Sequence, residues 1–335
     1  MSKKANIYDV AELAGVSHQT VSRVLNNHPS LRPETREKVE KAITKLNYRP
    51  NQAARQLVTS QSRMIGLLIA NSELFGPAAI LTEMEREARL SGYSIISIPV
   101  LPDSKESWLE GIEHLRNLEI DGVITIALPR EMMGPVAKNL SGAVIVVVDT
   151  EPTKEFDVFN IDNKLGGTLA AEHLIELGHK NILHVTGPIK SYEATQRRLG
   201  YEDAMKKANL KPESIEGDWS VSTGYEVGKK ILEKKIRPSA MFCANDHLAL
   251  GVIKAFNENG IQVPKDLSIV GFDDLPESPY FIPSLTTVRQ DFSELGRYAM
   301  DKMLQQLKER HDKATLLVKP DLIVRGSTAR AQKGK

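Results

Sequence analysis

The chain has 335 residues, of which 41% are hydrophobic and 26% are charged. This is the composition of a globular protein, and the length suggests two or three folded units. No apolar run approaches the roughly 18 residues of a membrane span, no secretory signal precedes the first charged residues, and a single cysteine, Cys243, excludes an internal disulfide framework. We therefore expect a cytoplasmic protein with no membrane partner.

The charge is unevenly distributed along the chain. Residues 1–61 carry ten Lys and Arg against five Asp and Glu, whereas the whole chain has a net charge of only +1. A small basic unit on a mildly acidic body favours nucleic acid as a partner. The imbalance is modest, so charge alone is also compatible with chance.

The first 50 residues predict three helices. Apolar residues in 7–14 lie on one helical face, Ser17 can cap a second helix over 18–26, and Pro33 suits the first position of a third helix that ends near Leu46. A short turn containing Gly15 joins the first two helices into a helix-turn-helix, a motif whose second helix reads the major groove of DNA. An ordinary three-helix bundle is the alternative.

Side chains at the start of the second helix are the candidates for base recognition. Gln19 can bond adenine through two hydrogen bonds, Arg23 can bond guanine in the same manner, and His18 can donate to or accept from a base edge. The short polar residues around them can contact phosphates and fix the register without reading sequence. These are Ser17, Thr20, Ser22 and Asn26.

Beyond residue 62 the pattern changes to short apolar runs that alternate with amphipathic helices. This alternation predicts parallel sheets with helices on both faces, and its length favours two lobes rather than one sheet. The polar segment 51–62 before it has no apolar stripe and is predicted to be a linker. The predicted strands are 64–70, 93–99, 122–127, 143–149, 181–186, 240–244 and 267–271.

Polar residues follow three of these strands, where ligands bind in open parallel sheets. They are Asp149, the pair Asn245 and Asp246, and the pair Asp273 and Asp274. Together with Arg197 and Trp219 in nearby loops they suit a polyhydroxylated ligand, because carboxylates and amides bond hydroxyl groups and Trp offers a flat face to a sugar ring. An Asp after a strand is also a common helix cap, so each position has a structural alternative.

Four N-terminal segments carry a distinctive set of motifs: IYDVAELAGVS (7–17), QTVSRVLN (19–26), TREKV (35–39) and LNYRPN (46–51). They resemble the headpiece of the LacI/GalR family of transcriptional regulators, and the resemblance continues to about Val324. It implies an all-α helix-turn-helix headpiece (1–50), a hinge helix (51–62) and an α/β periplasmic-binding-protein-like core (63–327). The core would have two doubly wound parallel-sheet lobes, formed by 63–161 with 291–319 and by 162–290 with 320–327. Residues 328–335 are expected to be a disordered tail.

For DNA binding, the resemblance adds Tyr8 and gives the linker a role. It implies that Leu57 wedges into the minor groove of operator DNA, with Asn51 and Ala54 beside it, an arrangement in which an apolar side chain kinks the duplex. His18 departs from the lactose-type members of the family, which carry an aromatic residue there. We therefore expect a related operator that differs at the base pair facing His18.

For the ligand, the resemblance implies a saccharide effector, a galactoside being favoured because purine-binding members do not share the residue set. In the first lobe, Ala70 and Asn71 replace small hydroxylated residues, so that side is expected to select a different sugar or linkage. Ala70 is nevertheless one of the predicted ligand contacts. The other implied contacts are Asp149, Arg197, Trp219, Asn245, Asp273, Gln290 and Phe292.

The expected assembly is a homodimer on a pseudo-palindromic double-stranded operator, with Leu250 and Phe281 at the interface. No leucine heptad follows the last predicted strand, so a coiled-coil tetramer is not expected. The sequence shows no phosphate loop, metal-ligand spacing or nucleophile motif, so we expect no cofactor, no metal and no enzyme activity. Three alternatives stay open: a co-repressor instead of an inducer, control by a phosphocarrier protein, and a sugar-binding transport protein.

Overall fold

The computed structural model describes residues 5–25, 31–48, 61–234, 238–309 and 311–332. The chain divides into two compact units, Met1–Ser62 and Arg63–Lys335. Four predicted DNA contacts, Asn26, Asn51, Ala54 and Leu57, lie outside the described residues. Within the described ranges, no helix is long and apolar enough to span a bilayer.

The first unit contains three helices, α1 (Ile7–Ala14), α2 (His18–Leu25) and α3 (Pro33–Lys45). Asn6 and Asp9 form a reciprocal capping box at the start of α1, and Gly15 ends that helix with a φ of 66°. Val10, Val21 and Val39 meet in a fully buried core. Each helix contributes one apolar face to this core, as the spacing predicts.

The second unit alternates strands and helices throughout. Its elements are β1 (Met64–Ala70), α4 (Phe75–Leu90), β2 (Ser94–Val100), α5 (Lys105–Asn117), β3 (Gly122–Ile126), α6 (Arg130–Asn139), β4 (Val144–Val148), β5 (Asp157–Ile161), α7 (Asn163–Glu176), β6 (Ile182–Thr186), α8 (Tyr192–Lys207), β7 (Glu213–Glu216), α9 (Val221–Glu233), β8 (Ala240–Cys243), α10 (Asp246–Glu258), β9 (Ser268–Asp273), a 3₁₀ turn (Ser278–Tyr280), β10 (Thr286–Arg289), α11 (Phe292–Lys308), β11 (Thr315–Val318) and β12 (Asp321–Ile323).

These strands form two six-stranded sheets, one in each lobe. The N-lobe sheet has the order β11-β5-β4-β3-β1-β2 and the C-lobe sheet the order β12-β10-β9-β8-β6-β7. All pairings are parallel except β10 with β12. Helices cover both faces, so the central strands are buried on both sides and β4 is continuously apolar.

The chain passes between the lobes three times, after β5, after β10 and between β11 and β12. Helix α11 packs against α4 and β4 and therefore belongs to the N-lobe. The three passages and the carboxyl ends of the strands surround one interlobe cleft. This is the position at which open α/β sheets bind ligands.

Close packing of α7 and α8 positions one side of this cleft. A Cβ atom on Gly167 would lie 2.1 Å from the carbonyl oxygen of Arg197, and one on Gly200 would lie 2.0 Å from that of Lys164. Because any side chain at either glycine would force the helices apart, these positions fix where α8 presents Arg197.

The C-terminal segment corrects one prediction. The Ala329 amide donates to Ser268 Oγ at 3.0 Å, and the Ala331 amide donates to the Leu177 carbonyl at 2.9 Å. Beneath this segment, the ring nitrogens of His179 form hydrogen bonds with Ser239 Oγ and Ser268 Oγ. The expected disorder of the tail is therefore wrong for residues 328–332, because their backbone groups are paired with the C-lobe.

Candidate functional sites

The cleft between the two lobes is open to solvent and is lined by residues of both lobes, a concave position at which small ligands commonly bind. Its N-lobe side is lined by Asn71, Leu74, Phe75, Gly76, Pro77, Ile126, Ala127, Asp149 and Phe292. Its C-lobe side and the adjoining passage are lined by Asn163, Glu193, Arg197, Trp219, Asn245, His247, Asp273 and Gln290. The structure thus brings together seven of the eight predicted ligand contacts.

Arg197 is held at the centre of the C-lobe side. Its Nε donates to Asn163 Oδ1 at 2.8 Å, and its Nη1 donates to the Ala244 carbonyl and lies 3.4 Å from Asp273 Oδ1. The guanidinium carbon is 3.9 Å from the ring centre of Phe272. Only 5% of the residue is exposed, so the fold holds the guanidinium group in one orientation at the edge of the cleft.

Asp273 links this arginine to Gln290. Gln290 Nε2 donates to Asp273 Oδ1 at 2.6 Å. Burial raises the pKa of Asp273 to about 7, while Arg197 opposes the shift and Asp246 adds to it. Asp246 itself lies behind the cleft, where it accepts hydrogen bonds from Leu275, Ser278 and Thr287, so it serves the fold and not the ligand.

Asn245 has both of its amide atoms engaged in the fold. Its Oδ1 caps α10 by accepting from the Leu248 amide at 2.8 Å, and its Nδ2 donates to the Trp219 carbonyl at 3.0 Å. It therefore acts as the helix cap that the sequence left as an alternative, and it holds the Trp219 loop against the cleft.

Asp149 is the acidic residue of the N-lobe side. Among the described residues no side chain hydrogen-bonds to its carboxylate, and burial raises its pKa to about 7, with Glu193 adding to the shift and Arg197 opposing it. The carboxylate therefore faces the cleft without a fixed side-chain partner.

Strained backbone is concentrated at this cleft. Of the ten described non-glycine residues with positive φ, five line it: Asn71, Ala127, Asp149, Trp219 and Asp273. Such conformations cost energy and persist where the surroundings impose them, commonly at ligand sites.

Ala70 does not line the cleft, contrary to the prediction. It is fully buried in the N-lobe core beside Trp108 and Val100, because as the last residue of β1 it points toward α5. Asn71, one residue later in the left-handed region, lies at the cleft in its place.

Sequence reasoning missed Glu193, Asn163, His247 and Phe75. A signal for Glu193 existed, because it precedes Arg197 by four residues on α8 and so shares its helical face. Phe75 packs edge-on against Phe292 with ring centres 5.7 Å apart. Asn163 and His247 had no sequence signal that distinguishes them from ordinary helix residues.

In the first unit, α2 exposes the residues predicted to read DNA. His18, Gln19 and Arg23 are exposed, and the ring of Tyr8, itself 65% exposed, lies 5.1 Å from that of His18. Ser17 Oγ accepts from the Thr20 amide and lies 3.0 Å from Thr20 Oγ1. Ser17 is therefore the cap of α2, as predicted, and both hydroxyls lie at the start of the recognition helix.

One of the two predicted dimer residues, Phe281, lies in an exposed apolar segment. Leu250 and Phe281 are half-buried, and Phe281 packs against the C-lobe core. Its neighbours Tyr280 and Ile282 are 84% and 86% exposed. Large apolar side chains this exposed in a row commonly mark an interface.

Comparisons with known proteins find matches to both units of the chain. Residues 6–51 match the bacterial regulatory proteins of the lacI family, and residues 171–328 match a periplasmic binding protein-like domain. The lactose operon repressor of Escherichia coli (strain K12) is 35% identical over 332 residues, which cover 97% of this chain and 91% of the relative. The chain belongs to the LacI family.

Other family members show the same relationship. The HTH-type transcriptional repressor PurR of Haemophilus influenzae (strain ATCC 51907 / DSM 11121 / KW20 / Rd) is 34% identical, over 96% of this chain and 98% of the relative. A solved lac repressor dimer bound to operator and the anti-inducer ONPF has a TM-score of 0.91 at 34% identity, covering 98% of this chain and all of that one. The transcriptional regulator CelR in complex with cellobiose has a TM-score of 0.73 at 27% identity, covering 96% and 99%.

Membership in the LacI family defines the general function. The protein is a DNA-binding transcriptional repressor controlled by a small-molecule effector, and its homologues are repressors rather than enzymes. The predicted fold class, a helix-turn-helix headpiece with a two-lobed α/β core of parallel sheets, is confirmed.

Proposed function

We propose that this LacI-family protein represses a carbohydrate-utilisation operon in the cytoplasm and releases its operator when a saccharide of the galactoside type fills the interlobe cleft. The observation that carries the proposal is the array of Arg197, Asp273 and Gln290 beside the aromatic side chains of Trp219 and Phe292. A saccharide needs both kinds of contact.

The polar array suits vicinal hydroxyl groups. Arg197 offers a donor fixed in direction, Asp273 offers acceptors, and the Gln290 amide provides both types of group. Trp219 and Phe292 provide the apolar surfaces that cover the C–H faces of a sugar ring. Because Asp273 is already bonded to both Arg197 and Gln290, little conformational entropy is lost from these three side chains when the ligand binds.

Relatives of known structure bind ligands of this class. Solved structures of the lac repressor contain ONPG in the repressed state and ONPF together with operator, and CelR was solved with cellobiose. By similarity, the cleft of this chain is the place for a saccharide.

On DNA, the protein is proposed to act as a homodimer. One headpiece reads few base pairs, and two related by a two-fold axis match a pseudo-palindrome with half-sites about 34–36 Å apart. The exposed apolar segment around Phe281, together with Leu250 on α10, is the proposed interface surface. Solved lac repressor dimers support this assembly.

Control would operate through the orientation of the two lobes. Asp149 comes from the N-lobe and Arg197 from the C-lobe, so a ligand that bonds both favours one relative orientation of the lobes. A ligand shifts the repressor between states only by as much as its affinity differs between them. Coupling of this kind typically changes operator affinity by about 5- to 150-fold.

The test is fluorescence anisotropy on a labelled lactose-type operator at fixed salt, with and without a panel of galactosides. Salt is held constant because phosphate contacts make the affinity strongly salt-dependent. Tight, sequence-specific binding released by one sugar is the expected result. If a ligand strengthens operator binding, the effector is a co-repressor and not an inducer. If the protein binds the operator no more tightly than scrambled DNA, the proposed operator is contradicted.

A further inference from the structure

Acidic side chains outnumber basic ones in the lining of the cleft. Asp149, Glu193 and Asp273 all line it, whereas Arg197 is the only Lys or Arg among the described lining residues. The one lining histidine, His247, does not compensate, because burial lowers its pKa. The carboxylates outnumber the available cation.

Arg197 is already committed to one of these carboxylates. It lies within 3.4 Å of Asp273, and its Nε and Nη1 also donate to groups of the protein. The nearby cations are engaged elsewhere, since Arg198 pairs with Glu202 at 2.7 Å and Lys190 lies 3.6 Å from Asp103. Asp149 and Glu193 therefore have no ion pair of their own among the described residues and only share the attraction of Arg197 with Asp273.

Glu193 differs from the other acids because the fold does not use it. It is half-buried in the first turn of α8, and no hydrogen bond or ion pair joins its carboxylate to a described residue. Its field reaches across the cleft, where it raises the pKa of both Asp149 and Asp273 in addition to the effect of burial. Each additional negative charge in this confined space is unfavourable until a cation enters.

The geometry restricts what that cation can be. Among the described residues, no group of three His, Cys, Asp or Glu side chains is spaced to hold a metal ion. The carboxylates line the same cleft as the aromatic side chains of Trp219 and Phe292. An organic molecule with both an apolar ring face and a positive group fits this arrangement.

We propose that the effector is an amine-bearing saccharide, an amino sugar or a glycoside with an ammonium group, and that Glu193 pairs with the ammonium. This inference rests on the saccharide effector proposed above and specifies its chemical class. Arg197 and Gln290 hold the hydroxyl groups, and Asp149 completes the cation site from the N-lobe.

An ammonium group satisfies the acidic side of the cleft in a way that a hydroxyl group cannot. It donates three hydrogen bonds and carries the missing charge. Charge-assisted hydrogen bonds are roughly twice as strong as neutral ones, so replacing a hydroxyl by an ammonium should tighten binding about tenfold or more. Removal of the charge by acetylation should abolish the gain.

The primary test compares matched saccharides by isothermal titration calorimetry with the full-length wild-type protein. The probes are galactose, glucose and mannose, each with its 2-amino and its 2-acetamido counterpart. At a pH below the pKa of the sugar amine, one amino sugar should bind at least tenfold more tightly than both of its uncharged counterparts. Its advantage should shrink as the pH rises and the amine loses its proton.

The second test replaces the proposed partner of the ammonium. In Glu193→Gln the ratio between the affinities for the amino sugar and its neutral counterpart should fall toward one. Glu155→Gln, at an exposed position in the loop between β4 and β5, is the matched control and should retain the wild-type ratio. Operator anisotropy of both variants verifies that each is folded.

The outcomes distinguish the amine-bearing effector from the more general saccharide effector on which this inference rests. Equal or tighter binding of a neutral sugar by the wild-type protein overturns the amine-bearing effector and leaves the saccharide effector intact. Failure of all nine probes to bind, with operator binding preserved, overturns both. An unchanged ratio in Glu193→Gln overturns the role of Glu193.

Discussion

The two walls of the interlobe cleft are built in different ways. On the C-lobe wall Arg197 and Asn245 are hydrogen-bonded to the fold. Asp273 is paired with Arg197 and accepts a hydrogen bond from Gln290. On the N-lobe wall the surface is mainly apolar, and its one carboxylate, Asp149, has no side-chain partner among the described residues. The C-lobe wall is therefore prearranged to orient a ligand. On the N-lobe wall, the Asp149 carboxylate gains a polar partner only when a ligand is present.

This difference indicates that the two walls have separate roles in ligand binding. A prearranged wall supplies affinity, because its side chains lose little freedom on binding. A wall whose carboxylate is satisfied only across the cleft makes the free energy of the two lobe orientations depend on the ligand. We expect changes on the C-lobe wall to affect affinity most, and changes on the N-lobe wall to affect selectivity and coupling.

The largest effect is expected from Arg197→Met, which keeps the bulk of the side chain and removes its charge and donors. Effector affinity should fall at least a hundredfold, because charge-assisted hydrogen bonds are lost and Asp273 is left without its counter-charge. Calorimetry with the effector measures the loss. Arg198→Met, whose guanidinium pairs with Glu202 outside the cleft, is the control, and a loss below threefold in Arg197→Met would contradict a prearranged C-lobe wall.

A smaller effect is expected from Asp149→Asn on the opposite wall. Effector affinity should fall about tenfold, because one charged acceptor becomes neutral. The coupling between effector and operator should fall as well, since this carboxylate is the polar contact from the N-lobe. Anisotropy titrations of operator at several effector concentrations measure that coupling, and the division between the walls fails if affinity falls while coupling is unchanged.

Phe292→Leu tests the apolar part of the N-lobe wall. Phe292 is 7% exposed and contacts Phe75 edge-on, so the change removes a ring face from the cleft but keeps an apolar core residue. We expect about fivefold weaker effector binding, because an aromatic contact contributes about 1 kcal/mol. Phe156→Leu, at a buried position of the N-lobe outside the cleft lining, controls for stability and should leave effector affinity unchanged.

Two of the three acids of the cleft, Asp149 and Asp273, should also make the stability of the effector-free core depend on pH. Burial raises the pKa of Asp149 and of Asp273 from 3.8 to about 7, so the folded state binds more protons than the unfolded state between about pH 4 and pH 7. The free energy of unfolding contributed by these groups therefore falls as the pH rises through that window.

Calorimetric melting of the effector-free protein at pH 5 and pH 7.5 measures this dependence. The melting temperature should be a few degrees lower at the higher pH, and Asp149→Asn should reduce the difference. A melting temperature that rises with pH to the same extent in both proteins would show that other groups control the stability.

The two walls also differ in how far the sequence predicted them. The C-lobe residues follow long apolar strands such as residues 240–244, so their position at the carboxyl ends of a parallel sheet could be inferred. On the N-lobe wall the same reasoning predicted Asp149 but could not choose between the adjacent Ala70 and Asn71, because the left-handed φ of 53° at Asn71 decides which of them faces the cleft. Backbone conformation of this kind leaves no periodic signal.

Some strands were also not predicted from the sequence. β7 (Glu213–Glu216) is a polar edge strand and β12 (Asp321–Ile323) has three residues, so neither shows an apolar run. They pair because the neighbouring strands offer free edges. β10 and β11 depend in the same way on partners far away in the chain, β9 and β5, whereas β4 was predicted because both of its faces are buried.

The smallest effect, and the finest test of the N-lobe wall, is expected from Asn71→Gly. Glycine adopts positive φ without strain, so the change removes the side-chain amide and leaves the backbone free to keep its conformation. Affinity for the effector should fall only two- to threefold, because one neutral hydrogen bond contributes about 1 kcal/mol or less. Its selectivity among sugars that differ at one hydroxyl group should relax more than the affinity does. Competition calorimetry with epimeric saccharides measures both quantities, and selectivity preserved in full would assign discrimination to the C-lobe wall alone.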